Sequence, residues 1–249
     1  MALISVDDDY LTVLNLFETD TLAGQERLLE VMREIIDTAA YPGWISSTLH
    51  GGEDKLGTAN YIQWRSMEDL EERYAGEKFR HETIPLFNEI STSIRLLKTE
   101  ALFTQRHPSL GGVTEISPSR DDYTIIVVLG VDPENQKELF DTLAQPDEWL
   151  MTVPGYRSHS ILRGIDGTFI VNYAQWDNRE VYDAFHNLPE DERPADVKKG
   201  RSRARSLATS RWSNSYRVVH TRARDPLTLT ETSATSFNDS EIAHERHTM

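Results

Sequence analysis

The spacing of apolar residues alternates along the first hundred residues between the period of a strand and the period of a helix. Leu28, Met32 and Ile36 recur on one stripe at helical spacing, and the pair Pro42-Gly43 ends that helix. Ser66 precedes an acidic first turn and predicts the N-cap of a second helix. The predicted elements are a strand at 10–18, a helix at 27–39, strands at 44–50 and 58–64, a helix from 66 to 89 and a strand at 93–103.

The same order of elements occurs twice. Residues 42–44 (PGW) fall on residues 154–156 (PGY), a shift of 112 positions, and residues 60–64 (NYIQW) fall on residues 172–176 (NYAQW) under the same shift. This is an internal duplication, with an added loop at 188–194 inside the second helix of the second copy. One βαββαβ unit leaves a sheet face uncovered, and two units can cover each other. The sequence therefore predicts an α+β fold in which two tandem repeats pack as a pseudo-dimeric barrel.

The boundaries of the organisation follow from the duplication. The first repeat is predicted at 1–110, a linker at 111–121, the second repeat at 122–224 and a polar tail without periodicity at 225–249.

Composition limits the function classes. The 249 residues include no cysteine, which excludes disulfides, thiolate metal sites and a cysteine nucleophile. No apolar run approaches the roughly 20 residues that a membrane span needs, and the N-terminal residues do not resemble a secretion signal. We therefore expect a cytoplasmic protein with no membrane partner. The net charge of −15 argues against nucleic acid as a partner.

Positive charge is concentrated in one segment. From Lys198 to Arg224 there are nine basic residues and no acidic one. Such a run is most often a solvated face. The alternative is a site for a small anion, such as a cofactor phosphate or a substrate enolate.

Strand alternation predicts a set of polar residues in the first repeat. Asn60 and Trp64 share one face of their strand, and Trp44 and His50 share a face of the preceding strand. If these faces adjoin, a pocket holds an imidazole, an amide and indoles. A buried amide without a partner costs about 1–3 kcal/mol, so Asn60 would need a partner or a ligand. The alternative is that Asn60 ties down a loop and Trp64 fills the core.

These motifs resemble a known family. A helix ended by Pro-Gly-aromatic, followed by a strand with Asn-x-x-x-Trp, is similar to the antibiotic biosynthesis monooxygenases, which are ferredoxin-like dimeric α+β barrels. The resemblance spans roughly residues 10–103 and 123–222. It implies a pocket lined by the Asn, the Trp and a His ten positions before the Asn, which are Asn60, Trp64 and His50. The second repeat has Leu162 in place of that His, so the first repeat is expected to hold the site.

The chemistry of oxidising a phenol with O₂ suggests roles for these residues. His50 would be the general base on a phenolic hydroxyl, Asn60 would donate a hydrogen bond to the oxyanion and Trp64 would stack on the substrate. Tyr74 and His81 are expected at the rim, with a solvated helix face as their alternative. The residues of the second repeat would contribute across the pseudo-dimer or form a second pocket. The predicted substrate-binding residues are Trp44, Gln63, Tyr74, His81, Asn172, Gln175 and Trp176.

The tandem arrangement with a polar tail most resembles the angucycline ring-opening oxygenases of the jadomycin, gilvocarcin and kinamycin pathways. That resemblance implies cleavage of an anthrol-like aromatic polyketide with O₂, and reduced FAD or FMN as a diffusible co-substrate from a separate flavin reductase. Arg201 and Arg205 would then meet the flavin phosphate. A cofactor-independent, quinone-forming monooxygenase is the alternative, in which the deprotonated substrate itself reduces O₂.

The sequence also bears on other hypotheses about cofactors, activity and assembly. No histidines have facial-triad or HExxH spacing, so no metal is expected, and His244 and His247 are the only close pair, in the tail. Haem degradation is disfavoured because Tyr74 stands where a helical His is expected. A third hypothesis is a non-catalytic barrel that only binds a small aromatic ligand. Two chains could also pair into a homodimer.

Overall fold

The computed structural model describes residues 2–224, and in this range eight strands close into an antiparallel barrel. Two further short strands, β1 (Ala2–Ile4) and β6 (Thr114–Ile116), form a separate sheet. The barrel strands are β2 (Leu11–Glu18), β3 (Trp44–Gly52), β4 (Gly57–Trp64), β5 (Ser93–Arg106), β7 (Tyr123–Val131), β8 (Tyr156–Gly164), β9 (Phe169–Trp176) and β10 (Ala208–Ala223).

Each repeat contributes four neighbouring strands to the barrel. The first repeat supplies β3-β4-β2-β5 and the second supplies β8-β9-β7-β10 in the same relative order. The repeats join where β5 pairs with β8 and where β10 pairs with β3. The predicted pseudo-dimeric α+β barrel is confirmed, because pairing along both seams leaves the barrel without a free edge.

Within the described residues, six α-helices cover the outside of the barrel. They are α1 (Leu22–Asp37), α2 (Met67–Ala75), α3 (Ile84–Ile90), α4 (Gln136–Leu143), α5 (Arg179–Asn187) and α6 (Ala195–Leu207). The predicted N-cap is confirmed, since Ser66 Oγ accepts the amide of Asp69 at 3.3 Å. The predicted loop between α5 and α6 is also confirmed.

Two helix boundaries differ from the prediction. Helix α1 begins five residues earlier than predicted, because Thr21 Oγ1 caps it by accepting the amide of Gly24 at 3.0 Å. The helix predicted at 66–89 is broken at Gly76, whose backbone is extended, and a π-helical turn at Phe79–Thr83 then leads into α3. The Pro-Gly pair recurs because Gly43 and Gly155 both adopt a positive φ, +68° and +76°.

The stretch predicted as a linker is part of the folded structure. Strand β6 lies within residues 111–121, and Ile116 pairs with Ala2 of β1. Ile4 and Ile116 are both buried in the apolar cluster of the barrel interior. The predicted tail at 225–249 lies outside the described residues.

The barrel interior is filled by side chains from both repeats. Tyr61 of the first repeat and Tyr173 and Tyr216 of the second are almost fully buried there, among aliphatic residues. The helices cover the opposite, outer face of the strands. Within residues 2–224, no helix combines the length and the apolar character that a membrane span requires.

Candidate active site

A β-bulge decides which residues of β3 face the helices. Trp44 lies opposite Trp64 on β4, whereas Ser46 lies opposite Gln63, so Ile45 is an extra residue in β3. An extra residue reverses the in-and-out alternation of all residues that follow it. Trp44 therefore faces the helices. His50, which was predicted to share its face, points to the opposite side of the strand.

The reversal separates His50 from Asn60. His50 lies opposite Ala59, whereas Leu49 lies opposite Asn60. Residues opposite each other in an antiparallel pair lie on the same face. His50 consequently points into the barrel and Asn60 points toward the helices. The prediction that His50, Asn60 and Trp64 share one pocket is wrong, because a plain alternation does not contain the bulge.

His50 is fully enclosed in the barrel. Its Nδ1–H donates to the carbonyl of Ala59 at 3.1 Å, so Nε2 accepts the hydroxyl of Tyr173 at 2.8 Å. The side chain has 0% exposure, and burial lowers its pKa to about 4. Both ring nitrogens are occupied by protein groups, so this imidazole has no free position for a substrate proton.

Gln63 and Gln175, predicted to bind substrate, also face the interior. Ser46 Oγ donates to Gln63 Oε1 at 2.7 Å, and Ser158 Oγ donates to Gln175 Oε1 at 2.6 Å. Gln175 Nε2 further donates to Asp122 at 2.9 Å. The same hydrogen bond in both repeats ties the hairpin strands together, so the two amides have a structural role.

The other site residues predicted in the first repeat are packed in an apolar cluster or lie on the surface. Trp44 and Trp64 are buried in one apolar cluster with Leu70. Tyr74 packs against that cluster, and its ring stacks on Phe79 with centroids 4.6 Å apart. His81 has a 67% exposed side chain, 3.1 Å from a glutamate, which matches the solvated-face alternative.

The second repeat contains a cavity of about 720 Å³ between its sheet and its helices. Strands supply the floor, and α5 and α6 supply the walls. Of the predicted residues, Asn172, Trp176, Arg201 and Arg205 line it. The polar and aromatic lining residues that the sequence did not point to include Tyr156, His159, Tyr182, His186 and Arg211.

The bulge recurs in the second repeat and there brings a histidine into the cavity. Tyr156 lies opposite Trp176, and the register then shifts at Arg157. His159 consequently lies opposite Ala174, on the face of Asn172. The same irregularity that takes His50 away from the first-repeat pocket places His159 in the second.

His159 is held in one tautomer by two further groups. The hydroxyl of Tyr156 lies 3.0 Å from the carbonyl of Gln105 and 2.9 Å from His159 Nδ1. A carbonyl only accepts, so the hydroxyl donates to Gln105 and accepts from Nδ1–H of His159. The lone pair on Nε2 is thereby left for the cavity. Burial lowers the pKa of His159 to about 4, so the ring is neutral at pH 7.

Asn172 and Trp176 present polar groups that the protein does not satisfy. Among residues 2–224, neither Asn172 Oδ1 nor Trp176 Nε1 has a hydrogen-bond partner. The indole packs against Phe185 at a centroid distance of 4.9 Å. A ligand with both donor and acceptor groups would relieve about 1–3 kcal/mol of desolvation cost for each such atom. Asn60 Oδ1 and Trp64 Nε1 lack partners in the same way.

Positive charge surrounds His186 in the lining of the cavity. Burial, followed by the charges of Arg201, Arg211 and Arg193, lowers the pKa of His186 to about 4. Burial raises the pKa of Tyr182 to about 12. The basic segment at 198–224 therefore has two parts. Arg201, Arg205 and Arg211 line the cavity, whereas other basic residues of the segment form ion pairs on the surface.

The residues offer little to a metal ion. Within the part of the chain that the structure describes, no group of three His, Asp or Glu side chains lies close enough together to hold one. His244 and His247 lie outside the described residues.

Comparison with known proteins identifies the family. The family model described as antibiotic biosynthesis monooxygenase matches residues 122–192. The tetracenomycin-F1 monooxygenase of Streptomyces glaucescens is 44% identical over 75 residues, which are 30% of this chain and 67% of that protein. The crystal structure of an anthrone oxidase-like protein matches with a TM-score of 0.84 and 46% identity over 89% of this chain and 96% of the other. The chain belongs to the antibiotic biosynthesis monooxygenase family.

Membership of this monooxygenase family makes the protein an oxygenase. The matched residues 122–192 include β8, β9 and α5, the elements that carry His159, Asn172, Trp176 and His186. A monooxygenase-like protein of Fusobacterium nucleatum matches with a TM-score of 0.57 at 9% identity and shows the fold alone.

The sequence did contain a signal for the second-repeat cavity. Under the shift of 112 positions, Leu162 replaces His50, but His159 replaces Ser47 and His186 replaces Tyr74. The second repeat therefore gains two histidines where the first has none. Assigning them to one pocket required the bulge, which leaves no mark in the pattern of apolar residues.

Proposed function

We propose that the protein oxidises an anthrone-like or anthrol-like aromatic polyketide to a quinone in the second-repeat cavity. The observation that carries this proposal is the convergence of His159, Asn172 and Trp176 on one cavity of about 720 Å³. That volume lies within the roughly 300–1,000 Å³ of sites for one small-molecule ligand. The relatives named for an anthrone and for tetracenomycin F1 support an aromatic polyketide as the substrate class.

His159 is the proposed base. Loss of a proton from the methylene of an anthrone gives an enolate delocalised over fused rings, and Nε2 of His159 accepts that proton. The ring starts neutral because its pKa is about 4. The enolate that forms beside it favours the imidazolium and raises its pKa during the transfer. The amide of Asn172 would donate to the enolate oxygen, and Trp176 would stack on the rings.

The enolate is the reductant of O₂ in this scheme. It transfers one electron to O₂, and recombination forms a C–O bond in a substrate hydroperoxide. Loss of the remaining hydrogen on that carbon and cleavage of the O–O bond release water. One anthrone and one O₂ thus give one quinone and one water, and the proton held by His159 leaves with the water.

Angucycline ring opening with reduced flavin from a reductase partner stays a prediction. Arg201 and Arg205, which were predicted to meet the flavin phosphate, lie 3.7 and 3.0 Å from the carboxylate of Glu190. The scheme needs no flavin, because the substrate enolate itself supplies the electrons that reduce O₂.

The second repeat has a histidine at the helical position that haem binding would require. His186 stands ten positions after Trp176, where the first repeat has Tyr74. A shift of the Soret band on adding haemin, lost in His186→Ala, would support this second candidate. The polyketide relatives favour the first.

The test is O₂ uptake with an anthrone, with and without enzymatically reduced FMN, with the product identified by mass. We expect flavin-independent uptake of one O₂ per quinone and one ¹⁸O from ¹⁸O₂ in the product. Uptake that requires reduced flavin and yields a ring-opened product would transfer the protein to the ring-opening group. No uptake of O₂ in either condition would refute the proposed substrate class.

A further inference from the structure

Three arginines and a histidine crowd one end of the second-repeat cavity. Arg201 and Arg205 come from α6, Arg211 comes from β10 and His186 comes from the end of α5, and all four line the cavity. Arg193 lies behind this end, 3% exposed, with its guanidinium donating to the carbonyl of Phe185 at 2.8 Å. The cluster is therefore built from three successive elements, α5, α6 and β10, that meet at the cavity.

The positive charge of this cluster exceeds the negative charge that faces it. Glu190 is the one carboxylate within 4 Å of Arg201 and Arg205, and no carboxylate of the described chain lies that close to Arg193 or Arg211. Arg211 donates to the hydroxyl of Ser213 at 3.0 Å. Among residues 2–224, Arg201 Nε is buried without a hydrogen-bond partner, and Glu190 lies 3.7 Å from it, beyond hydrogen-bond distance. A guanidinium in that situation gains from an anion that enters the cavity.

We propose that the cluster of Arg201, Arg211 and His186 binds an acidic substituent, a carboxylate, on the aromatic substrate. This inference rests on the proposed function, because the aromatic body of the same molecule would occupy the cavity beside Trp176. The fork of a guanidinium matches a carboxylate in geometry, and both arginines are held on regular elements. The contact would fix which ring carbon lies next to His159, so the arginines act as specificity determinants.

A carboxylate on the substrate is favoured over a phosphate from another molecule. The arginines line the same cavity as His159 and Asn172, and aromatic and aliphatic side chains make up much of the rest of that lining. A single polycyclic ligand can therefore span both ends. A phosphate from a nucleotide would leave the rest of that nucleotide to share the same 720 Å³ with the substrate.

The test compares the affinity of 9,10-anthraquinone-2-carboxylate with that of its methyl ester by titration calorimetry. We expect the carboxylate to bind at least about 10-fold more tightly than the ester, as a charge-assisted hydrogen bond predicts. The preference should fall below about 3-fold in Arg201→Gln and in Arg211→Gln. Arg203→Gln is the matched control, because Arg203 lies on α6 but pairs with Glu138 outside the cavity.

The outcomes separate this inference from the proposed function. Equal affinity for acid and ester, or a preference that survives both substitutions, would overturn the inference while anthrone turnover by the wild type still supports the proposed function. Displacement of the carboxylate by FMN or inorganic phosphate at lower concentration than by the acid itself would assign the cluster to a phosphate and overturn the carboxylate. Absence of binding and of anthrone turnover would overturn both. Circular dichroism of each variant identifies any loss of folding. Because Arg211 is exposed and lies on β10, Arg211→Gln tests the inference without any change in α6.

Discussion

The hydroxyl of Tyr173 donates to Nε2 of His50 at 2.8 Å, and this bond joins the two repeats inside the barrel. His50 belongs to the first repeat and Tyr173 to the second, and both are almost fully buried. The histidine that the family resemblance places in a pocket is thus a packing and hydrogen-bonding residue of the interior. Its partner Tyr173 lies within the recurring NYxQW motif, on the opposite face from Asn172.

Replacing His50 by leucine, the residue at the equivalent position 162, should lower the free energy of unfolding and leave the catalytic rate nearly unchanged. The tyrosine hydroxyl loses its acceptor, which costs about 1–3 kcal/mol. Urea unfolding at pH 7 measures the loss, and we expect anthrone oxidation by the folded variant within about 3-fold of wild type. His81→Leu is the control, because that side chain is 67% exposed. A folded His50→Leu protein without activity would contradict the assignment.

The stability cost of His50→Leu should shrink on acidification. The folded-state pKa of about 4 lies below the ordinary value of 6.5, so between these values the unfolded chain binds a proton that the folded chain excludes. The contribution of His50 is therefore complete above pH 6.5 and is lost as the pH falls toward 4, by up to about 3 kcal/mol. Unfolding free energies of wild type and variant at pH 7, 6 and 5 test this. A difference that is constant over the range would show that His50 is not buried as a neutral ring.

Tyr156→Phe should impair catalysis by releasing His159. The variant keeps the aromatic ring but removes the acceptor for Nδ1–H, so the ring can change tautomer or rotate. We expect kcat to fall by about 10- to 100-fold with little change in KM, since the hydroxyl does not bind substrate. The pH profile should also change, which a purely structural defect would not cause. Tyr182→Phe, another cavity tyrosine, is the control.

The acid limb of the wild-type activity should lie well below pH 6. His159 must be neutral to accept a proton, and its pKa is about 4 in the free enzyme. The ratio kcat/KM should therefore be nearly constant from pH 8 to about 5.5 and decrease below about 5. Initial rates of O₂ uptake over this range measure it. A limb near pH 6.5 would indicate an exposed histidine as the base instead.

The fold was predictable from the sequence because its determinants are repeated and local. The apolar stripe of α1, the Pro-Gly stops and the Ser66 cap each act over a few residues, and the duplication supplied the barrel. The site was predictable only in part. Asn172 and Trp176 follow from the motif, and Arg201 and Arg205 from the charge run.

The rest of the site depends on a single extra residue in each hairpin. Ile45 and Arg157 reverse the facing of every later residue in β3 and β8, and neither residue type marks a bulge. A two-residue period therefore assigned His50 to the pocket and left His159 out. Arg211 became a cavity residue only because β10 returns beside α6, a contact between elements that the pattern cannot position.

The duplication provides the most direct test of the central claim that the second repeat holds the working site. Asn60→Ala and Asn172→Ala remove the same side chain from equivalent positions of β4 and β9, so each variant controls for the other. We expect Asn172→Ala to lower kcat/KM for anthrone oxidation by about 100-fold, as loss of an oxyanion donor does, and Asn60→Ala to stay within about 3-fold of wild type at similar thermal stability. The reverse result, with activity lost in Asn60→Ala and kept in Asn172→Ala, would contradict the account and return the site to the first repeat.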